Sequence, residues 1–268
     1  MEAASCDRAD FGLENRLFQN MNQREDGMHD LKPAERLIIA LNEVDSLDEA
    51  AVLVNRLLKL GIRMFKIGPR LFMSYGPSAI GGLRILGANV FLDMNFHATP
   101  SAVGYGIEGG CRYGIRMVSV HASGGIDMMR AAVSASSKYN TSVFAETMLT
   151  SLDSSTIKTL TGRPTTEAVL LLANWAVDAG VKGIICSSDE LSHVKAVPRF
   201  TKLLTIVPGT RLDDTEVENQ KHALDTQMAA IAAGADYIVV GRAITRATDP
   251  VAAATSIIAE ITAASPNH

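Results

Sequence analysis

Lys66 and Asp93 are the two residues of this chain best placed to do chemistry. Each is a charged group set in a short apolar run: Lys66 within Met64-Phe65-Lys66-Ile67-Gly68, and Asp93 directly after Val90-Phe91-Leu92. Charge in such a position is costly unless it is paired or used. The two residues therefore read either as a structural salt bridge or as an acid/base pair. Beyond Asp93, Met94-Asn95-Phe96-His97-Ala98-Thr99-Pro100 gathers further polar groups before a proline. The whole stretch reads as a buried strand that delivers chemistry at its C-terminal end.

A second signal lies near the other end of the chain. Val207-Pro208-Gly209 and Val240-Gly241-Arg242 offer glycine N–H groups and a guanidinium suited to phosphate oxygens. The alternative for Arg242 is a pair with a surface carboxylate. His121-Ala122-Ser123-Gly124-Gly125 reads as a base beside a Gly-rich turn, or as a hydrogen-bonded structural histidine. His97 reads as a supporting residue, and Met128-Met129 as core.

The elements that must position these groups alternate along the chain. Strands are expected at 37–41, 64–68, 89–93, 115–121, 141–147, 183–186, 203–207 and 237–240. Helices are expected at 48–60, 79–86, 101–113, 126–139, 165–179, 188–197, 226–233 and 252–264. Ser46 with Glu49 suggests a capping box, and Gly61, Gly87, Gly180 and Gly234 punctuate helix ends. Nearly continuous apolar strands imply a parallel sheet covered on both faces. Eight strand–helix units predict an α/β fold, a (β/α)8 TIM barrel, over residues 37–268 as a single domain. Residues 1–36, rich in charge and Asn/Gln, form an N-terminal extension, either frayed or a short helix on the barrel. In such a barrel the active site lies at the C-terminal strand ends. Asn42, Lys66, Asp93, Asn95, His97, His121, Thr150, Ser151, Ser187, Arg211 and Arg242 fall there.

A net charge of −4 favours neither nucleic acid nor an acidic membrane, so an anionic ligand needs a local basic site. Cys6, Cys111 and Cys186 are scattered without metal spacing and suit reduced thiols in the cytoplasm. No apolar run is long enough to span a bilayer, and the N-terminus lacks the apolar core of a secretory signal.

With these residues placed, the chain resembles the orotidine 5′-phosphate decarboxylase family from Leu37 to Ile261. The resemblance rests on Ile39-Ala40-Leu41-Asn42, Phe65-Lys66-Ile67-Gly68, Phe91-Leu92-Asp93-Met94-Asn95-Phe96-His97 and Val120-His121-Ala122-Ser123-Gly124-Gly125. Leu149-Thr150-Ser151, Val207-Pro208-Gly209-Thr210-Arg211, Asn219-Gln220-Lys221 and Val239-Val240-Gly241-Arg242 continue it in the same order. It implies a homodimeric barrel without metal or organic cofactor, converting orotidine monophosphate (OMP) to UMP and CO2. It implies catalytic roles at positions 66, 93 and 95. Substrate contacts are implied from Asn42, His97, Thr150, Ser151 and Pro208, and phosphate contacts from Gln220, Gly241 and Arg242.

The match is uneven. The family's third strand carries Asp-x-Lys-x-x-Asp, in which the Lys protonates the carbanion and the last Asp reaches the neighbouring subunit. Here Asp93 is kept, the Lys is Asn95, and the last Asp is Ala98. The strand-one Asp is Asn42, the usual Ile-Pro-Asn is Thr99-Pro100-Ser101, and the Ile of Pro-Gly-Ile-Arg is Thr210. An amide neither donates a proton as an ammonium does nor supplies positive charge opposite a carbanion. The losses also offset one another: two cations and three anions become one of each, Lys66 and Asp93. Three expectations follow. The first is a re-specialised lyase working through Lys66 and Asp93 on a nucleotide or sugar monophosphate. The second is a decarboxylase with rearranged residues, for which Lys66 is the obvious proton donor. The third is an inactive nucleotide-binding protein.

Overall fold

A computed structural model describes residues 31–209 and 228–264. Contacts divide the chain into Met1–Lys32 and Pro33–His268, and the barrel lies in the second unit. The strands are β1 (Leu37–Ala40), β2 (Met64–Ile67), β3 (Asn89–Phe96), β4 (Met117–His121), β5 (Ser142–Glu146), β6 (Gly183–Ile185), β7 (Leu204–Pro208) and β8 (Tyr237–Val240). They close in sequence order into a barrel in which every neighbouring pair is parallel, β8 returning to β1. The expected (β/α)8 barrel is the fold observed.

Alternation along the strands explains why almost every strand residue is apolar. Leu37, Ile39, Phe65, Ile67, Val90, Leu92, Val118 and Val120 join the core beneath the helices. The intervening Ile38, Met64, Phe91, Met117 and Phe144 are also buried and fill the barrel interior. Phe91 and Phe144 meet there as tilted rings with centroids 6.5 Å apart. Gly183 is required where β6 passes this layer. A Cβ on it would collide with the Leu204 carbonyl oxygen and the Phe144 ring.

Several boundaries depart from the sequence pattern. β3 runs to Phe96 rather than ending at Asp93, because it carries an irregularity that no hydrophobic period signals. A helix at Pro69–Tyr75 precedes the expected one, with Gly76 (φ 56°) breaking the chain before Pro77–Ile85. Ser154–Thr161, capped by Asp153, and the short Arg242–Thr245 were not anticipated either. Thr165–Ala179 lies where the pattern put it, stopped by left-handed Gly180. Ser46 caps Leu47–Leu58 through its Oγ, which accepts from Glu49 N at 3.1 Å. The reciprocal half of the box is shifted: Glu49 Oε2 accepts from Asp45 N, not from Ser46. Helical residues 228–232 continue an expected helix whose start at Thr226 lies outside the described residues.

The entry to β1 is tied to the start of β8. After the turn Pro33–Arg36, the Arg36 guanidinium donates to the carbonyls of Ala235 and Asp236. Among the described residues, no helix is long and apolar enough to cross a membrane.

Candidate functional site

The site grows from the upper ends of β2 to β5. Parity sends Lys66, two residues beyond inward Met64, into the barrel, and Asp93 likewise beyond Phe91. Their side chains meet: Lys66 Nζ lies 2.6 Å from Asp93 Oδ2, with side chains 11% and 16% exposed. So short a charge-assisted contact in a sheltered place is strong. The other Asp93 oxygen, Oδ1, accepts from Ser119 Oγ at 2.7 Å. Ser119 is fully buried on β4, two residues beyond inward Met117.

The chain bends here. Phe91 and Leu92 pair with Met117 and Val118, yet Phe96 pairs with Val120, so β3 spends extra residues between Leu92 and Phe96. This is a bulge. Asn95 sits in it at φ 45°, a left-handed conformation that no other non-glycine among the described residues adopts. Asparagine is among the side chains that tolerate that region. Asn95 N donates to Ser119 Oγ at 2.9 Å, which ties the bulge to the hydroxyl that holds Asp93. The buried Asn95 Oδ1 has no hydrogen-bond partner.

β5 adds a group that sequence reasoning missed. Glu146 ends β5, two residues beyond inward Phe144, and is 7% exposed. Its Oε1 is buried without a hydrogen-bond partner. Burial raises its carboxyl pKa well above the ordinary value of 4.5. The Asp93 charge adds to the rise and Lys66 opposes it. On the next strand's end, burial, and then the Glu146 charge, push the Cys186 thiol up to about 12. The signal for Glu146 was present: a carboxylate closing the run Val143-Phe144-Ala145, as Asp93 closes its own. Ser119 was legible only through the alternation Met117, Ser119, His121.

At the rim, His121 Nδ1 and Ser123 Oγ lie 2.7 Å apart, and Ser123 Oγ is 3.3 Å from His97 Nε2. The two imidazoles stand edge to face at 5.8 Å. Burial and then the neighbouring His97 lower the His121 pKa. His121 is thus held by hydrogen bonding, and His97 is exposed beyond the end of β3.

Asn42, after β1, packs its Oδ1 against Gly68, where a Cβ would approach to 2.8 Å; this buried oxygen also has no hydrogen-bond partner. The β7 and β8 ends come together as expected. Pro208 pairs with Val239, and Gly209 N donates to Val239 O at 3.0 Å. Gly241 precedes Arg242, whose Nε lies 3.5 Å from Glu43 Oε1, while Arg246 Nε is 2.8 Å from Glu43 Oε2. The carboxylate pairing that was the alternative for Arg242 is therefore realised at the barrel mouth, on the residue after Asn42. Thr150 and Ser151 lie exposed in the turn after β5. Met128 and Met129 are fully buried. Thr210, Arg211 and Gln220 lie outside the described residues. Among those described, no group of three His, Cys, Asp or Glu residues could hold a metal ion.

The Orotidine 5'-phosphate decarboxylase / HUMPS family matches residues 35–257. The orotidine 5'-phosphate decarboxylase of Chromobacterium violaceum is 40% identical over 229 residues, 84% of this chain and 91% of that protein. That of Halorhodospira halophila is 40% identical over 219 residues, 80% and 89% of the two chains. Among solved structures, orotidine 5'-phosphate decarboxylase from Lactobacillus acidophilus superposes with a TM-score of 0.73 at 29% identity. The superposition covers 85% of this chain and 99% of that one. Shared sequence over nearly the whole length and a shared barrel lead to one conclusion: the chain belongs to the Orotidine 5'-phosphate decarboxylase / HUMPS family.

Proposed function

We propose that this chain is a carbon–carbon lyase acting on an orotidine-type nucleoside monophosphate, through a re-specialised site centred on Lys66 and Asp93. The observation that carries the reading is the sheltered 2.6 Å pair itself, braced by Ser119. A carboxylate fixed beside a leaving carboxylate destabilises the bound acid, and the ammonium offsets charge that develops on the carbon left behind. The substrate's phosphate binds at the mouth between β7 and β8, through Gln220, the Gly241 backbone and Arg242. Asn42, His97, Thr150, Ser151 and Pro208 contact the rest of the nucleotide. The reading carries with it a homodimer, a cytoplasmic setting and chemistry that needs no cofactor.

Asn95 is what sets the site apart. With an amide where the family resemblance puts a lysine, one positioned proton donor is gone, a loss of roughly 10²–10⁴-fold in rate. Incubation with OMP, followed by the absorbance change as UMP forms, is expected to give turnover slower than that of the lysine-bearing relatives by about that factor. UMP binding is expected to weaken roughly 10–100-fold in Arg242→Ala, the range for a lost hydrogen bond to a charged group. Turnover at the relatives' level would overturn re-specialisation. It would favour an ordinary decarboxylase, the reading that 40% identity to proteins of that name supports. Absent turnover with UMP still bound identifies a nucleotide-binding protein without catalysis.

A further inference from the structure

We propose that Glu146 is the proton donor of this site, taking over the step for which Asn95 is unfit. The inference rests on the carbanion chemistry proposed above.

Three observations meet at this residue. Glu146 lies inside the barrel, on the face shared by Phe144, and is 7% exposed. One of its oxygens, Oε1, is sealed from water without a protein partner. A buried polar atom left unpaired costs free energy unless something else uses it. The charged groups whose fields reach it are Asp93 on β3 and Lys66 on β2, with the Cys186 thiol after the end of neighbouring β6. Burial and then the Asp93 charge raise its carboxyl pKa well above the ordinary value, against the opposing Lys66 charge. Lys66 already spends one N–H on Asp93, where its charge serves the pair. A buried acid whose pKa is raised in this way has the property a donor needs, a proton held more tightly than an ordinary carboxyl holds it.

The step balances. The bond from the ring carbon to the departing carboxylate breaks, its electron pair stays on that carbon, and CO2 leaves. The Glu146 O–H proton moves to the carbon. Glu146 becomes a carboxylate, and solvent returns its proton before the next turnover. The nearby Asp93 charge favours that return.

The test compares the full-length protein with Glu146→Gln, which keeps shape and burial but carries no transferable proton. Two readouts are taken: turnover of OMP, and the infrared carbonyl stretch of a protonated carboxylic acid at neutral pH. The wild type is expected to show the acid band and slow turnover. The variant is expected to lose the band and at least about 100-fold in kcat while UMP affinity stays within about threefold. A variant that turns over OMP like the wild type overturns the proposal. So does a wild type whose Glu146 is ionised at neutral pH, whatever its rate, and that readout still decides if the variant folds poorly. A wild type with the acid band but no turnover is a different failure. It overturns the lyase reading, and the donor role falls with it.

Discussion

At the residue scale, one carboxylate sets the order of the site. Asp93 receives Lys66 on one oxygen and Ser119 on the other, and Ser119 also accepts the Asn95 N–H. Removing one partner leaves a sheltered charge without compensation. Lys66→Ala is therefore expected to destabilise the fold by about 2 kcal/mol, below the full buried-pair cost because water still reaches both side chains. Ser119 remains to hold Oδ1. Urea denaturation measures the loss, and a variant as stable as the wild type would show the pair to be energetically idle. The same substitution removes the charge that opposes protonation of Glu146. The acid band of Glu146 should then persist to higher pH in Lys66→Ala than in the wild type.

At the element scale, the strand that carries the departing chemistry is also the irregular one. β3 bulges between Leu92 and Phe96, and Asn95 occupies the left-handed turn of that bulge. A Cβ-bearing residue without a short polar side chain costs about 1–2 kcal/mol there, whereas glycine accepts the conformation freely. Asn95→Gly is expected to be at least about 1 kcal/mol more stable than Asn95→Ala in thermal or chemical denaturation. It also removes a buried oxygen that pairs with nothing in the protein. Equal stabilities would mean the bulge relaxes without cost. What the sequence showed of this region follows from the same physics. Short, nearly continuous apolar runs placed all eight strands, because a buried parallel strand must be apolar on both faces. It could not show the bulge, which leaves no periodic trace, so the strand was expected to stop at Asp93 instead of Phe96. The Lys66–Asp93 contact was legible because isolated charges in apolar runs need partners. Glu146 met the same criterion and was passed over. Ser119, a small hydroxyl among valines, carries no charge to announce it. Gln220, which the resemblance assigns to the phosphate, and Arg211, a polar group after β7, fall outside the described residues.

At the scale of the whole molecule, the buried acid makes stability depend on pH with a definite sign. The unfolded chain releases the Glu146 proton near the ordinary value of 4.5, while the folded barrel keeps it to much higher pH. Between those two values the native state binds more protons than the unfolded state. Stability must then fall as pH rises, with a slope of up to 2.303RT per proton, about 1.4 kcal/mol per pH unit. Below the unfolded value both states are protonated, and the contribution is fully present. Above the folded value it has been lost and the slope vanishes. Glu146→Gln cannot ionise in either state, so it should track the wild type near pH 4 and become progressively more stable than it as pH rises. Denaturant midpoints for both proteins across that range measure the difference directly. A difference that stays flat with pH would mean that Glu146 ionises alike in the folded and unfolded chains. A growing difference would mean that the barrel gives up stability to keep a proton beside Lys66 and Asp93, a sacrifice expected of a working site and not of an inert core.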